Sequence, residues 1–370
     1  MTRTTLASLQ IDGRSDDELQ DWLRDNRRTD GLPVILPSRE RVEEMMFAAS
    51  LAGLDHDLIL GRIAPQMGEA TIEKVAINAV MAGCVPDYLP VVVAGVKAVC
   101  DERLDMSAVQ ATTHALTPLL IVSGPIARTL GISGSYGALG YGHAANLTIG
   151  RAIRLCLINL GGGWPGFTDM TLLGHPGKLS YCLAEHEESP YPPLHQTFGF
   201  DAEQNALTAV NVLGPHTLTC VLDDDDPDQH SRLLELVART ITSPGNNNAV
   251  AGRGTVVVCL NLEHAKALHA AGYTRGDIQR ELYERATNPY ELATLNGAIP
   301  LADEAPVDAH GNRRALESPE AVLVLVAGGP GAYSCVMMSW GYGAHGNVPV
   351  SKEIVTTDVC DVALPADVTD

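Results

Sequence analysis

Residues 119–163, LLIVSGPIARTLGISGSYGALGYGHAANLTIGRAIRLCLINLGGG, limit what this chain can fold into more than any other stretch. The apolar run Leu119–Val122 has the length and composition of a buried strand. It breaks at Ser123-Gly124-Pro125 into a short helical piece, Ile126–Leu130, and then a loop holding Gly131, Gly134, Gly137, Gly140 and Gly142. A helical pattern follows from Ala144 to Asn159 and stops at Gly161-Gly162-Gly163. Glycine loses more entropy on ordering than any other residue, so this density needs a physical reason. A backbone drawn close to a ligand at a helix N-terminus supplies one. A mobile surface loop is the plainer alternative.

The loop does not match GxGxxG ahead of a dinucleotide helix, and it lacks the GK[ST] of a P-loop. No organic cofactor is therefore expected. What remains is a small anion held at the start of the Ala144 helix. The candidate substrate-binding residues are Gly137, Gly140, His143, Asn146, Arg151 and Lys178. The structural alternative makes Arg151 and Arg154 ordinary exposed helix residues.

Charge narrows the partners. Lys plus Arg number 25 against 45 Asp plus Glu, a net charge of −20. Nucleic acid or an anionic membrane would need a basic face, so neither is expected as a partner. A small anionic substrate needs only a few cations and backbone N–H groups. No apolar run reaches membrane-spanning length. The eight cysteines form no CxxC pair, and several sit in apolar runs. They read as reduced thiols of a cytoplasmic protein rather than a disulfide framework.

Local signals divide the chain. Ser15 and Glu18 have the spacing of a capping box ahead of a helix over 15–27, and Ser38 is placed to cap a helix from Arg39. Thr71 can cap a helix with Ile72, Val75, Ala76, Ala79 and Val80 on one face and Gly83 at its end. Another helix follows, with Asp87 as its cap. The stretch 106–122 reads as extended or mixed. From Ala206 the texture changes to aliphatic, β-branched runs at Ala206–Val212, Thr217–Leu222, Thr255–Leu260 and Ala321–Ala327. Helical patterns separate them at 228–240, 263–271 and 274–285. The expected fold class is α+β or α/β. Residues 1–200 form a helix-rich region with the glycine-rich loop, 201–356 a mixed sheet with covering helices, and 357–370 an acidic tail. The two large regions could instead be intertwined in one domain. No sequence repeat is evident.

Three groups of side chains could carry chemistry. Glu69 and Lys74 flank a helix start, where the macrodipole favours an anion, and with His114 they form a candidate acid–base set. Charge complementarity at the helix end, and a structural histidine, are the alternatives. Cys84 and Cys182 are candidate nucleophiles, although most such cysteines are core residues. Glu185, His186 and Glu187 are weak candidates for a divalent metal; a continuing strand would point the glutamates to one face and the histidine to the other. No HExxH is present.

The blocks TDGLPVILPSRERVEEM, MGEATIEKVAINAVMAGC, PLLIVSGPIARTLGI, ANLTIGRAIRL, HPGKLSYCLAEHEE and VAGGPGAYS, in this order, resemble a family of uncharacterised bacterial proteins. Relatives in it are linked to a companion or fused domain with a UGSC motif, U being selenocysteine. The resemblance implies no reaction and brings no catalytic residues, and this chain has no GSC tripeptide. The expected function is a cytoplasmic enzyme, a lyase of hydro-lyase type or a hydrolase, acting on a small anionic metabolite by acid–base or nucleophilic chemistry. A thiol-dependent redox enzyme working with a partner, and a non-catalytic binding or scaffold subunit, are the alternatives. A homo-oligomer is expected.

Overall fold

Ten strands and eight longer helices place the site. The strands are β1 (Ile59–Ile63), β2 (Gly68–Thr71), β3 (Thr117–Ser123), β4 (Cys182–Ala184), β5 (Ala206–Val212), β6 (His216–Thr219), β7 (Val256–Leu260), β8 (Val322–Val326), β9 (Tyr333–Met337) and β10 (Val350–Glu353). The helices are α1 (Asp16–Asp25), α2 (Arg39–Leu51), α3 (Ile72–Ala82), α4 (Leu89–Val99), α5 (Ala144–Asn159), α6 (Gln229–Ile241), α7 (Leu262–Ala270) and α8 (Arg275–Arg285). This computed structural model describes residues 8, 10–11, 15–51 and 53–356. The acidic tail expected at 357–370 lies outside the described residues.

The local signals act as read. Ser15 and Glu18 close a capping box on α1. Thr71 caps α3, and Gly83 ends it in the left-handed region at φ 92°. Asp87 is different: it sits in a 3-10 turn, and α4 begins after Tyr88 without a side-chain cap. The stretch read as extended or mixed opens with a helical turn, Met106–Ala111, before β3.

The fold is α+β, with two mixed four-stranded sheets. One has the order β10-β5-β3-β4 and the other β8-β7-β9-β6. Their inner faces meet, with Leu119, Ile121, Leu183 and Val210 set against Val257, Leu325 and Met337. The outer face of the first sheet packs beneath α3, α4 and α5. That of the second packs beneath α6, α7 and α8. Helices outside and a second sheet inside bury β3, β5, β7 and β8 on both faces, which explains their mainly aliphatic runs, while the edge strands β6 and β10 stay partly exposed. Among the described residues no helix is long and apolar enough to cross a membrane.

The expected division near residue 200 does not separate the sheets, because β5 and β10 complete the sheet that β3 and β4 begin. Nor does the lack of a sequence repeat extend to topology. In each half an outer helix (α4 or α6) precedes a central strand (β3 or β7). A crossover helix (α5 or α8) leads to a parallel neighbour (β4 or β8). Each parallel strand is preceded by a proline-headed 3-10 turn, Pro176–Lys178 or Pro319–Ala321. An antiparallel strand, β5 or β9, then pairs on the far side of the central one. The last strand of each half crosses over: β6 pairs with β9, and β10 pairs with β5. The halves thus exchange edge strands, and neither sheet is complete without the other half.

The crossing from β9 to β10 is fastened by Asp105. Its carboxylate accepts from the backbone N–H groups of His345 at 3.0 Å and Asn347 at 2.8 Å. Asn211 of β5 donates to Asn347 Oδ1 at 2.6 Å, and Asn347 donates to Ser339 Oγ at 3.2 Å.

Candidate functional site

Arg154 lies on the buried face of α5, between Ile153 and Leu155, and is only 8% exposed. A guanidinium there must find acceptors inside the protein. Nη2 donates to Thr117 Oγ1 of β3 at 2.8 Å, and Nε donates to the Lys178 carbonyl. Nη1 makes a long contact of 3.5 Å to Gln110 Oε1. Among the described residues no carboxylate comes within ion-pair distance of Arg154. Burial lowers its pKa, and the more distant Asp169 and Asp30 oppose that only in part.

Lys178 ends the 3-10 turn that precedes β4. Its ammonium pairs with Asp169 at 2.8 Å and donates to Thr171 Oγ1 at 2.7 Å. Burial again dominates and pulls the Lys178 pKa below the usual lysine value, against the pull of Asp169. Thr171 Oγ1 in turn donates to the His114 carbonyl at 3.2 Å. His175 heads the same 3-10 turn, and its Nδ1 accepts from the Gly177 N–H at 3.1 Å. That contact assigns the proton of the neutral ring to Nε2. The Ala115 backbone favours the charged ring, yet no atom meets Nε2 in hydrogen-bond geometry. Burial lowers the pKa of both His114 and His175, so both rings are neutral near pH 7.

Three buried polar atoms in this cluster have no partner: Gln110 Nε2, His114 Nδ1 and His175 Nε2. Buried polar groups are nearly always paired, and each exception asks for a reason. The space lined by Thr117, Arg154, Gly177, Lys178 and Tyr181 has a volume of about 10 Å³, the size of a single water molecule. The 164–175 loop carries Asp169, Thr171 and His175 into the cluster. The same loop turns Leu172 and Leu173 outward, at 85% and 96% exposed.

Of the residues expected from sequence, Lys178 lies in this cluster, and His114 is tied to it through its backbone carbonyl by way of Thr171. Arg154 was legible only as a cation available to an anion, and Asp169, His175, Gln110 and Thr117 escaped. The signal for Arg154 was present: an arginine inside the run AIRLCLI cannot sit on an exposed face if its neighbours are buried. Glu69 and Lys74 are not joined to this cluster. Glu69 pairs with Arg62 on the surface at 2.7 Å, and Lys74 Nζ donates to the Glu69 carbonyl at 3.1 Å. They belong to the junction of the β1–β2 hairpin with α3.

The glycine-rich loop serves packing more than a ligand. Asn146 is 1% exposed and spends its amide on the loop, accepting from Ser133 N at 2.8 Å and donating to the Ser133 and Ala138 carbonyls. His143 Nε2 lies 2.9 Å from the Tyr136 carbonyl. Arg151 grips Asp30 through two contacts of 2.7 and 3.0 Å and the Pro33 carbonyl at 2.8 Å, tying the TDGLPV segment to α5. Gly137, at φ 67°, and Gly140 lie in an exposed turn. The close approach occurs at Gly134, where a Cβ would stand 2.5 Å from the Ala184 carbonyl oxygen at the end of β4. Gly134 also accepts from Gly328 N–H at 2.8 Å, joining the loop that follows β3 to the loop that follows β8. Gly134→Ala is therefore expected to destabilise the fold by about 1–3 kcal/mol through overpacking, while Ser135→Ala leaves it nearly unchanged. Urea unfolding of the two variants checks this.

The remaining candidates are occupied or hidden. Burial pushes the Cys84 thiol up to about 12 and raises Cys182 further, the reverse of what a nucleophile requires. β4 ends at Ala184, so Glu185, His186 and Glu187 follow no strand alternation. The Glu185 carboxylate is buried against Arg275 at 2.9 Å and accepts from Leu194 N–H at 2.6 Å. His186 Nδ1 accepts from Glu188 N–H at 3.1 Å, and Glu187 is exposed. Among the described residues no group of three or more His, Cys, Asp or Glu is placed to hold a metal ion. No family model and no curated protein matches this chain.

Proposed function

We propose that this chain is an enzyme that draws the anionic group of a small metabolite between Arg154 and Lys178 and acts on it by acid–base chemistry, as a lyase of hydro-lyase type or a hydrolase. The observation behind this reading is an excess of donors. Arg154 and Lys178 line one small space, Gln110 lies beside Arg154 and His175 is close enough to feel both cations, while among the described residues only the Asp169 carboxylate contacts either cation. A buried site rich in cations and unpaired donors is matched by an acceptor with negative charge. Arg154 and Gln110 would orient the anion. The neutral rings of His114 and His175 can accept a proton near pH 7. Lys178, with its pKa lowered, would neutralise charge that develops on the substrate. The cytoplasm is the proposed location, supported by the described cysteines all being free thiols.

Thermal-shift and calorimetric titration with a panel of small mono- and dicarboxylates and inorganic phosphate tests this reading. At least one anion is expected to bind, and Lys178→Met and His114→Ala to abolish turnover of whichever compound reacts. No response to any anion, with both variants matching the wild type, would overturn it. The pH dependence has a definite sign. The anion needs Lys178 protonated, and burial lowers the Lys178 pKa. Affinity should therefore fall as pH rises through a value below the usual lysine range, and Lys178→Arg should flatten that fall.

A further inference from the structure

We propose that Cys259 and Cys335 form a redox dithiol that closes to a disulfide between β7 and β9. The two residues are register partners in the antiparallel pair, directly opposite one another. Their side chains point to the same inter-sheet face, where Cys259 is in the core and Cys335 packs at its margin. Both are free thiols. Opposed residues in antiparallel strands have Cα atoms about 4.5–5.5 Å apart. A disulfide spans about 4.4–6.8 Å, so the bond can close by side-chain rotation with the strands in place.

The environment divides the labour between the sulfurs. Cys335 is the more exposed of the two, while Cys259 is 6% exposed and also reaches the Ala327 carbonyl at 3.7 Å. The nearness of the two sulfurs lowers the Cys335 pKa, while that same nearness and burial raise that of Cys259. This is the arrangement of an attacking and a resolving thiol. The oxidant is a low-molecular-weight disulfide. The Cys335 thiolate attacks one of its sulfurs, forming a mixed disulfide and expelling one small thiolate. Cys259 then gives up its proton and attacks the Cys335 sulfur, expelling the second small thiol. Two protein thiols are oxidised to one disulfide, and the small disulfide is reduced to two thiols. Cys84, Cys156 and Cys182 lie in the helix–sheet core, where burial raises each thiol's pKa, and they are not expected to take part.

The test uses the native full chain treated with oxidised glutathione. Remaining thiols are then alkylated under denaturing conditions, and the digest is read by mass spectrometry without reduction. The expected product is one linked peptide pair containing Cys259 and Cys335, lost on treatment with dithiothreitol. Cys259→Ser should instead trap glutathione on Cys335, and Cys335→Ser should leave Cys259 unmodified. Recovery of both wild-type cysteines as alkylated free thiols, or linkage through other cysteines, would overturn the proposal whether or not the variants fold.

Discussion

Replacing Arg154 with methionine is expected to abolish anion binding while barely weakening the fold. The two effects separate because the guanidinium is buried without a contacting carboxylate. Keeping such a charge in the interior costs free energy, and replacing it with an apolar side chain of similar length removes that cost. Against this, Thr117 Oγ1 and the Lys178 carbonyl lose their donor, at about 1–3 kcal/mol for each buried group left unsatisfied. The opposing contributions are of similar size, so the denaturation midpoint should move little in either direction. Binding has no such compensation. Removing one partner of a buried, hydrogen-bonded charge pair costs about 2–5 kcal/mol, or roughly 30-fold to several-thousand-fold in Kd. Isothermal titration with the anion selected by the panel, alongside urea unfolding, reads both quantities. A purely structural arginine would give the opposite pattern, with lost stability and an unchanged response to anions.

Asp105→Ala should have the largest effect on stability, concentrated at the exchanged strand. Its carboxylate is the acceptor for two backbone N–H groups on the β9–β10 crossing, that of Asn347 buried and that of His345 partly so. Leaving them unpaired costs about 1–3 kcal/mol each, together about 2–6 kcal/mol, from a total stability of about 5–15 kcal/mol for a typical domain. Asp105→Asn keeps one acceptor oxygen and should recover about half the loss. Hydrogen exchange should show protection falling first in β10, and then in β5, which it covers. Uniform loss of protection across both sheets would argue that the exchanged strand is no weaker than the rest.

The particular residues show where sequence stopped being informative. Helices were legible because their signals are local. Ser15 with Glu18, Thr71 and Gly83 act within a turn of the helix they bound, and the apolar spacing of α3 repeats within one element. Strands buried on both faces were legible as unbroken aliphatic runs, which is how β5, β7 and β8 were placed. The short strands β9 and β10 were not. Tyr333–Met337 follows a glycine-rich turn, and Val350–Glu353 is mostly polar, so each gains its pairing from a partner distant in the chain.

The site divides in the same way. His114 and Lys178 could be named singly, since each is a titratable residue in a loop-rich setting. The glycine-dense loop drew attention toward Asn146 and Arg151, whose side chains are spent on holding the chain together. Composition and periodicity determined the charge, the helices and the buried strands and narrowed the class to α+β or α/β, because those depend on each residue and its near neighbours. The tertiary structure alone decided the exchange of edge strands, the clustering of Arg154, Lys178, Asp169 and His175, and the facing of Cys259 with Cys335. Each of these joins residues far apart along the chain, and such contacts are set by how two sheets pair and stack, which no local pattern records.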